Sequence, residues 1–210
     1  MLFRSLLDLC RRKNVLLISD EIYDEFTYPE SRTSKRPGSG APVCPSPARV
    51  PGAQDDILLI RGFGKTYGCT GWRLGYASGP APLIDEMTRM QQHLYICAPT
   101  PLQYGALEAF DTDMSALIAK FQRRRDMVHS KLSAITEVPY PGGAFYAFVQ
   151  VPPRLKLSAN DFFTQRTRAK RVLIVPGSAF SNRDTHFRLS YAVKDETLAE
   201  GLDILVELMR

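Results

Sequence analysis

The chain is poor in the residues that build metal sites and disulfide frameworks: 210 residues hold three histidines, four cysteines and one tryptophan. Cys10, Cys44, Cys69 and Cys97 are widely scattered, with no C-x-x-C pair. That spacing argues against a structural zinc site or a stapled secreted scaffold and fits a reducing compartment. No run approaches the roughly 18 apolar residues of a membrane span. The first apolar cluster is broken by Arg4 and Asp8 and followed by Arg11-Arg12-Lys13, unlike the continuous core of a secretion signal. No internal repeat is present. The expectation is a soluble cytoplasmic protein with no membrane partner.

Charge of one sign is also missing once the excess is located. The formal net charge is +5, but segment 31–50 carries Arg32, Lys35, Arg36 and Arg49 without an acid, four of those five charges. The rest is close to neutral, so no nucleic-acid surface is expected. Segment 31–50 is rich in Pro, Ser and Gly and without periodicity, which predicts a flexible surface loop. The run Arg123–Arg125 predicts an exposed helix face. With 44% hydrophobic residues, a sizeable core in one or two domains is within reach.

Hydrophobic spacing divides the chain into two kinds of pattern. A first helix supplies Leu2, Phe3, Leu6, Leu7, Leu9 and Cys10. Strands follow at Asn14–Ile18, Ile57–Ile60 and Leu74–Ala77, then helices at Ala81–Leu94 and Leu102–Phe110. This is the α/β rhythm of a mostly parallel sheet with crossover helices, assigned to residues 1–110. From residue 111 the pattern is α+β. Helices are expected at Ala116–Ile135, Ala159–Ala169 and Leu198–Met209, and strands at Ala144–Val151, Val172–Val175 and His186–Ala192. Residues 111–210 form the smaller, second domain.

The most informative stretch is GFGKTYGCTGWRLGY, residues 62–76. Lys65 sits in a Gly-bounded turn after a strand, a candidate Schiff-base nucleophile because an amine can shift its pKa. Arg73, at the mouth of the next strand, is a candidate phosphate clamp, its planar fork matching phosphate oxygens. Cys69, inside the motif, reads as a small apolar filler. Upstream, Asp20 ends a strand in Ser19-Asp20-Glu21-Ile22-Tyr23, where open α/β sheets place ligands.

Strand–Asp-x-x-Tyr, then strand–Lys-x5-Gly-x-Arg, with PGGAFYAF (141–148), VPGSAF (175–180) and FRLSYA (187–192) beyond, resembles the class I/II aminotransferases, fold-type I pyridoxal phosphate enzymes of the aspartate aminotransferase kind. The likeness spans nearly the whole chain. It implies that Lys65 holds the cofactor pyridoxal 5′-phosphate and moves a proton at the substrate's α-carbon. It further implies that Asp20 pairs with the pyridine nitrogen, Tyr23 bonds the ring oxygen, Arg73 binds the phosphate and Arg188 pairs with the substrate α-carboxylate. Amino acid and 2-oxo acid substrates and a homodimer are implied too.

Two departures stand out. Glycines occupy positions 62 and 64, where the family usually carries serines. The match also begins near the middle of the family's chain, so the half that supplies a phosphate loop, a stacking aromatic and an asparagine has no counterpart here. By resemblance this leaves one flank of the sheet unpaired. A truncated gene, a start assigned too far downstream and a separate other half fit equally. The shared residues also serve related lyases and synthases, and the missing half leaves a non-catalytic remnant open.

Overall fold

A helix ends readily where a short polar side chain can take a left-handed backbone. Asn14, at φ 52°, does so after α1 (Leu2–Lys13). Its amide donates to the Arg11 carbonyl at 3.2 Å and the Val15 amide to the Cys10 carbonyl at 2.9 Å, the paired bonds of a Schellman end. The strand expected at Asn14–Ile18 is displaced by this cap, and β1 runs Leu17–Asp20. The computed structural model describes residues 2–28 and 44–210, in two units, Met1–Met114 and Ser115–Arg210.

In the first unit, β2 (Ile57–Gly62) lies between β1 and β3 (Gly75–Ser78). β1 and β2 are parallel, with Asp20 opposite Ile60, whereas β3 is antiparallel to β2, with Gly75 opposite Gly62. The sheet is therefore mixed. The link from β2 to β3 is one helical turn, α2 (Phe63–Thr66), and a 3-10 turn over Thr70–Trp72. It holds no longer helix of the kind that usually carries a crossover between parallel strands. α3 (Ala81–Leu94) and α4 (Thr100–Leu107) follow, each opening with proline in its first turn. Residues 31–43 of the expected loop lie outside the described residues, but its end is packed. Ser46 Oγ accepts from the Ala48 amide at 3.2 Å, and Ser46 and Pro47 are buried.

The second unit is an antiparallel sheet in the order β4 (Tyr146–Gln150), β6 (His186–Ser190), β5 (Val175–Pro176). Strand alternation sends Ala147, Val149, Phe187 and Leu189 into a core with Val128 and Leu132 of α5 (Ser115–Leu132) and Phe162 of α6 (Ala159–Phe162). Leu198, Leu202, Leu205 and Met209 add the apolar stripe of α7 (Asp195–Met209), at helical spacing. The helix expected over Ala159–Ala169 widens at Phe163–Thr167, where the Arg168 amide reaches the Phe163 carbonyl at 3.0 Å. Arg171, at φ 59°, then ends it and delays the strand expected at Val172–Val175. Arg124 and Arg125 are buried rather than exposed. Arg125 bonds Asp126 and the Pro141 carbonyl and lies 4.3 Å over the Tyr140 ring, while Arg124 pairs with Asp195.

The first unit buries far less. Its α1–β2 cluster is Leu7, Ala53 and Ile57, flanked by Leu17 and Val50, and Leu2 and Ile18 stay 79% and 59% exposed. β1 is an edge strand, pairing with β2 alone among the described residues. Among the described residues no helix is long and apolar enough to cross a membrane, and no three His, Cys, Asp or Glu side chains are grouped to hold a metal.

Asp184 gives the second unit a pH dependence. Its carboxylate accepts the amides of Asn160 at 3.0 Å and Ser178 at 3.3 Å. Desolvation pushes its pKa up, but these bonds outweigh it and hold the group below the ordinary carboxylate range. With the folded value below the unfolded one, the contribution is complete above about pH 4 and is lost as pH falls through the folded value. Asp184→Asn is expected to lower stability at neutral pH and to flatten the acid limb of the profile; thermal melts between pH 7 and 2 check both.

Candidate active site

Because β1 and β2 run the same way and β3 returns, the end of β1, the end of β2 and the start of β3 meet at one end of the sheet. Asp20 closes β1, Lys65 rides on α2 directly after β2, and Arg73 stands just before β3. Three of the residues singled out by sequence thus gather where parallel strands place ligands. Tyr23 lies in the turn that follows Asp20, where the Asp24 amide bonds the Glu21 carbonyl at 3.1 Å and the Phe26 amide bonds the Tyr23 carbonyl at 3.0 Å.

Each side chain is held in a distinct way. Asp20 is exposed, and its Oδ1 accepts the Ile22 amide at 3.2 Å. Lys65 is half-buried, and its amine makes no hydrogen bond or ion pair with the described residues. Arg73 adopts a left-handed backbone, φ 54°, and its Nη1 donates to the Thr70 carbonyl at 3.3 Å. A non-glycine residue in that region is uncommon, and here it ends the 3-10 turn and turns the chain into β3.

Arg188 belongs to the second unit. It lies on the face of the sheet opposite the core, with Tyr146 and Phe148 of β4. Its guanidinium is 4.5 Å over the Tyr146 ring and 4.8 Å over the Phe180 ring. Two rings pack against the planar fork while no carboxylate among the described residues pairs with it.

Sequence reasoning passed over a part-buried ion cluster at the same end of the first sheet: Glu21, Asp24, Arg61 and Thr66. Arg61 donates to Glu21 at 2.7 Å and lies 3.5 Å from Asp24, and Thr66 Oγ1 donates to Asp24 at 3.2 Å. Burial raises the Asp24 pKa, with Glu25 adding to the effect against the pull of Arg61. Burial also disfavours charge on Arg61, but its bonds to Glu21 and Asp24 outweigh that and hold it protonated. The available signal was an arginine after four apolar residues in Ile57–Gly62.

Position 62 is closed to a side chain and position 64 is open. A Cβ on Gly62 would lie 2.7 Å from Ile22 Cδ1 and 3.2 Å from the Leu74 carbonyl, whereas one on Gly64 meets its nearest neighbour, Thr70 Cα, at 3.6 Å. Ile22 therefore fills the space a serine at 62 would need. Gly62→Ser is expected to cost about 1 kcal/mol by driving Ile22 off its rotamer. Ile22→Val in the same chain should recover most of that, and Gly64→Ser should stay within about 0.5 kcal/mol of the parent. Urea denaturation of the three variants measures the difference.

The chain matches the family model described as aminotransferase class I and II over residues 2–205. The aspartate aminotransferase of Sulfurisphaera tokodaii is 33% identical over 214 residues, which cover 97% of this chain and 50% of that protein. Among solved structures, the aspartate aminotransferase of Thermotoga maritima superposes with a TM-score of 0.85 at 31% identity, covering 98% of this chain and 50% of that one. The aromatic aminotransferase of Pyrococcus horikoshii gives 0.86 at 29% identity, covering 98% and 54%. The chain spans about half the length of the curated relatives it matches. The α/β architecture is that of fold-type I pyridoxal phosphate enzymes.

Proposed function

The chain belongs to the class I and II aminotransferase family, and on that premise we propose that it carries the lysine-bearing part of an enzyme that moves an amino group between an L-amino acid and a 2-oxo acid. Enzymes of this family depend on pyridoxal phosphate. When bound, that cofactor supplies a pyridinium ring able to delocalise the negative charge left on an α-carbon. The donor set suits such a group. Lys65 offers an amine and Asp20 a carboxylate, neither opposed by a charge among the described residues, and Arg73 offers a fork.

The roles follow from the chemistry of each side chain. Lys65 Nζ is the amine that holds the cofactor and carries a proton to and from the substrate's α-carbon. The Asp20 carboxylate accepts the pyridine N–H and keeps that nitrogen protonated. The Tyr23 hydroxyl bonds the ring oxygen, and Arg73 pairs with the phosphate. Arg188 takes the substrate's α-carboxylate in a bidentate pair, its planar fork already packed against the Tyr146 and Phe180 rings. The reading carries with it a cytoplasmic location and a homodimeric assembly.

The observation that carries the proposal is the meeting of Asp20, Lys65 and Arg73 at one end of the sheet. Borohydride added to the chain with pyridoxal phosphate, followed by peptide mapping, tests it. A reduced phosphopyridoxyl label on the peptide containing Lys65 is expected. A label spread over surface lysines with Lys65 unmodified would overturn the assignment.

A further inference from the structure

Arg61 is out of keeping with its strand. β2 reads Ile-Leu-Leu-Ile before it, and a guanidinium in such a setting needs partners. It finds them on the turn that follows β1. Nη2 and Nε donate to Glu21 Oε2 at 2.7 and 3.3 Å, and Nη1 lies 3.5 Å from Asp24 Oδ2, while Tyr76 is its cross-strand neighbour on β3. Glu21 is 6% exposed, and its other oxygen accepts from Ser19 Oγ at 3.0 Å. Asp24 in turn accepts from Thr66 Oγ1, and Thr66 is 1% exposed. Glu21 adjoins Asp20, Asp24 adjoins Tyr23, and Thr66 adjoins Lys65. The guanidinium thus stands between the two turns that bear the proposed cofactor contacts.

We propose that Arg61 is a positioning residue: through Glu21 and Asp24 it locks the turn bearing Asp20 and Tyr23 to the turn bearing Lys65. The proposal deepens the function given above and rests on it for its consequence in cofactor attachment. α2 is a single turn whose N-cap, Gly62, makes no side-chain hydrogen bond. One turn does not hold itself; the Phe63 amide ties its start to the Leu74 carbonyl, and the bond from Thr66 to Asp24 ties its end to the 21–24 turn. Asp24 shares Arg61 with Glu21. Without the guanidinium, Glu21 and Asp24 lose the one cation they share, and the 21–24 turn moves away from α2. A lysine at 61 satisfies one carboxylate but lacks the fork that bridges both.

Amide hydrogen exchange on the full chain, without cofactor, tests the anchoring in Arg61→Lys and Arg61→Met. The reporters are the amides of Asp24, Phe26 and Tyr67, bonded to the carbonyls of Glu21, Tyr23 and Phe63. Their exchange is expected to quicken roughly tenfold or more in Arg61→Met and less in Arg61→Lys, with the amides of β4 and β6 unchanged. The borohydride-fixed label at Lys65 should fall in the same order. Unchanged exchange at all three reporters in both variants would overturn the proposal. If Arg61→Met unfolds, Arg61→Lys carries the reading; loss of the whole first unit in Arg61→Lys too would show a global role and overturn it. Quickened local exchange in a chain whose wild type takes no label at Lys65 would uphold the anchoring and sink the cofactor reading alone.

Discussion

Replacing Lys65 with alanine is expected to abolish covalent attachment of pyridoxal phosphate and to lower transamination at least about a thousandfold. The amine is asked to do two things, hold the cofactor and carry a proton, and a positioned acid–base group by itself contributes on the order of 10²–10⁴ in rate. Asp20→Asn separates the two tasks. Its amide can still hydrogen-bond the ring but brings no charge to keep the pyridine nitrogen protonated. Attachment should persist while removal of the α-proton falls steeply. Deuterium exchange at the α-carbon of an added amino acid, followed by proton NMR, reads the second effect. Asp20→Asn with wild-type α-proton exchange would contradict the role given to Asp20.

The second large effect is on stability. Phe187 is fully buried on β6 and stacks on Phe162, ring centroids 5.7 Å apart. Phe187→Ala is expected to cost about 3–5 kcal/mol by opening a cavity in the better-filled core. Phe187→Leu, which keeps most of the volume, should cost less than about 1.5 kcal/mol. Because Phe187 adjoins Arg188 in a strand whose side chains alternate, the alanine variant also loosens the strand that presents Arg188. By contrast, Ile18→Ala on the exposed side of β1 should change stability by less than about 0.5 kcal/mol. Urea denaturation followed by far-UV circular dichroism ranks the three.

What the sequence disclosed depended on whether a local pattern or a distant partner decided the outcome. α3 was legible to the residue at Ala81–Leu94, because proline punctuates its start and apolar spacing carries it through. The strands were legible in kind and displaced in position. Asn14 and Arg171 both take left-handed backbones that prolong the preceding helix end, and neither β-propensity nor apolar runs report that. The antiparallel return of β3 followed from how tightly the segment 63–74 folds, which composition did not display. Arg124 and Arg125 read as an exposed face because charge was taken as a sign of solvation. Their partners, Asp195 and the Pro141 carbonyl, are distant in the chain.

The candidate site divides in the same manner. Lys65, Asp20, Tyr23, Arg73 and Arg188 were singled out because their spacing is itself the motif. Arg61 was not, because its significance lies in Glu21 and Asp24, which come to it only when β1 and β2 pair. Ile22 filling the space above Gly62 was likewise invisible until the two turns were in place.

The measurement that tests the central claim most directly is the visible absorption spectrum of the purified chain mixed with pyridoxal phosphate, beside a Lys65→Ala control, before and after an amino acid is added. The account predicts a band that requires Lys65 and bleaches with the amino acid. A folded chain whose spectrum matches the Lys65→Ala control throughout would contradict it.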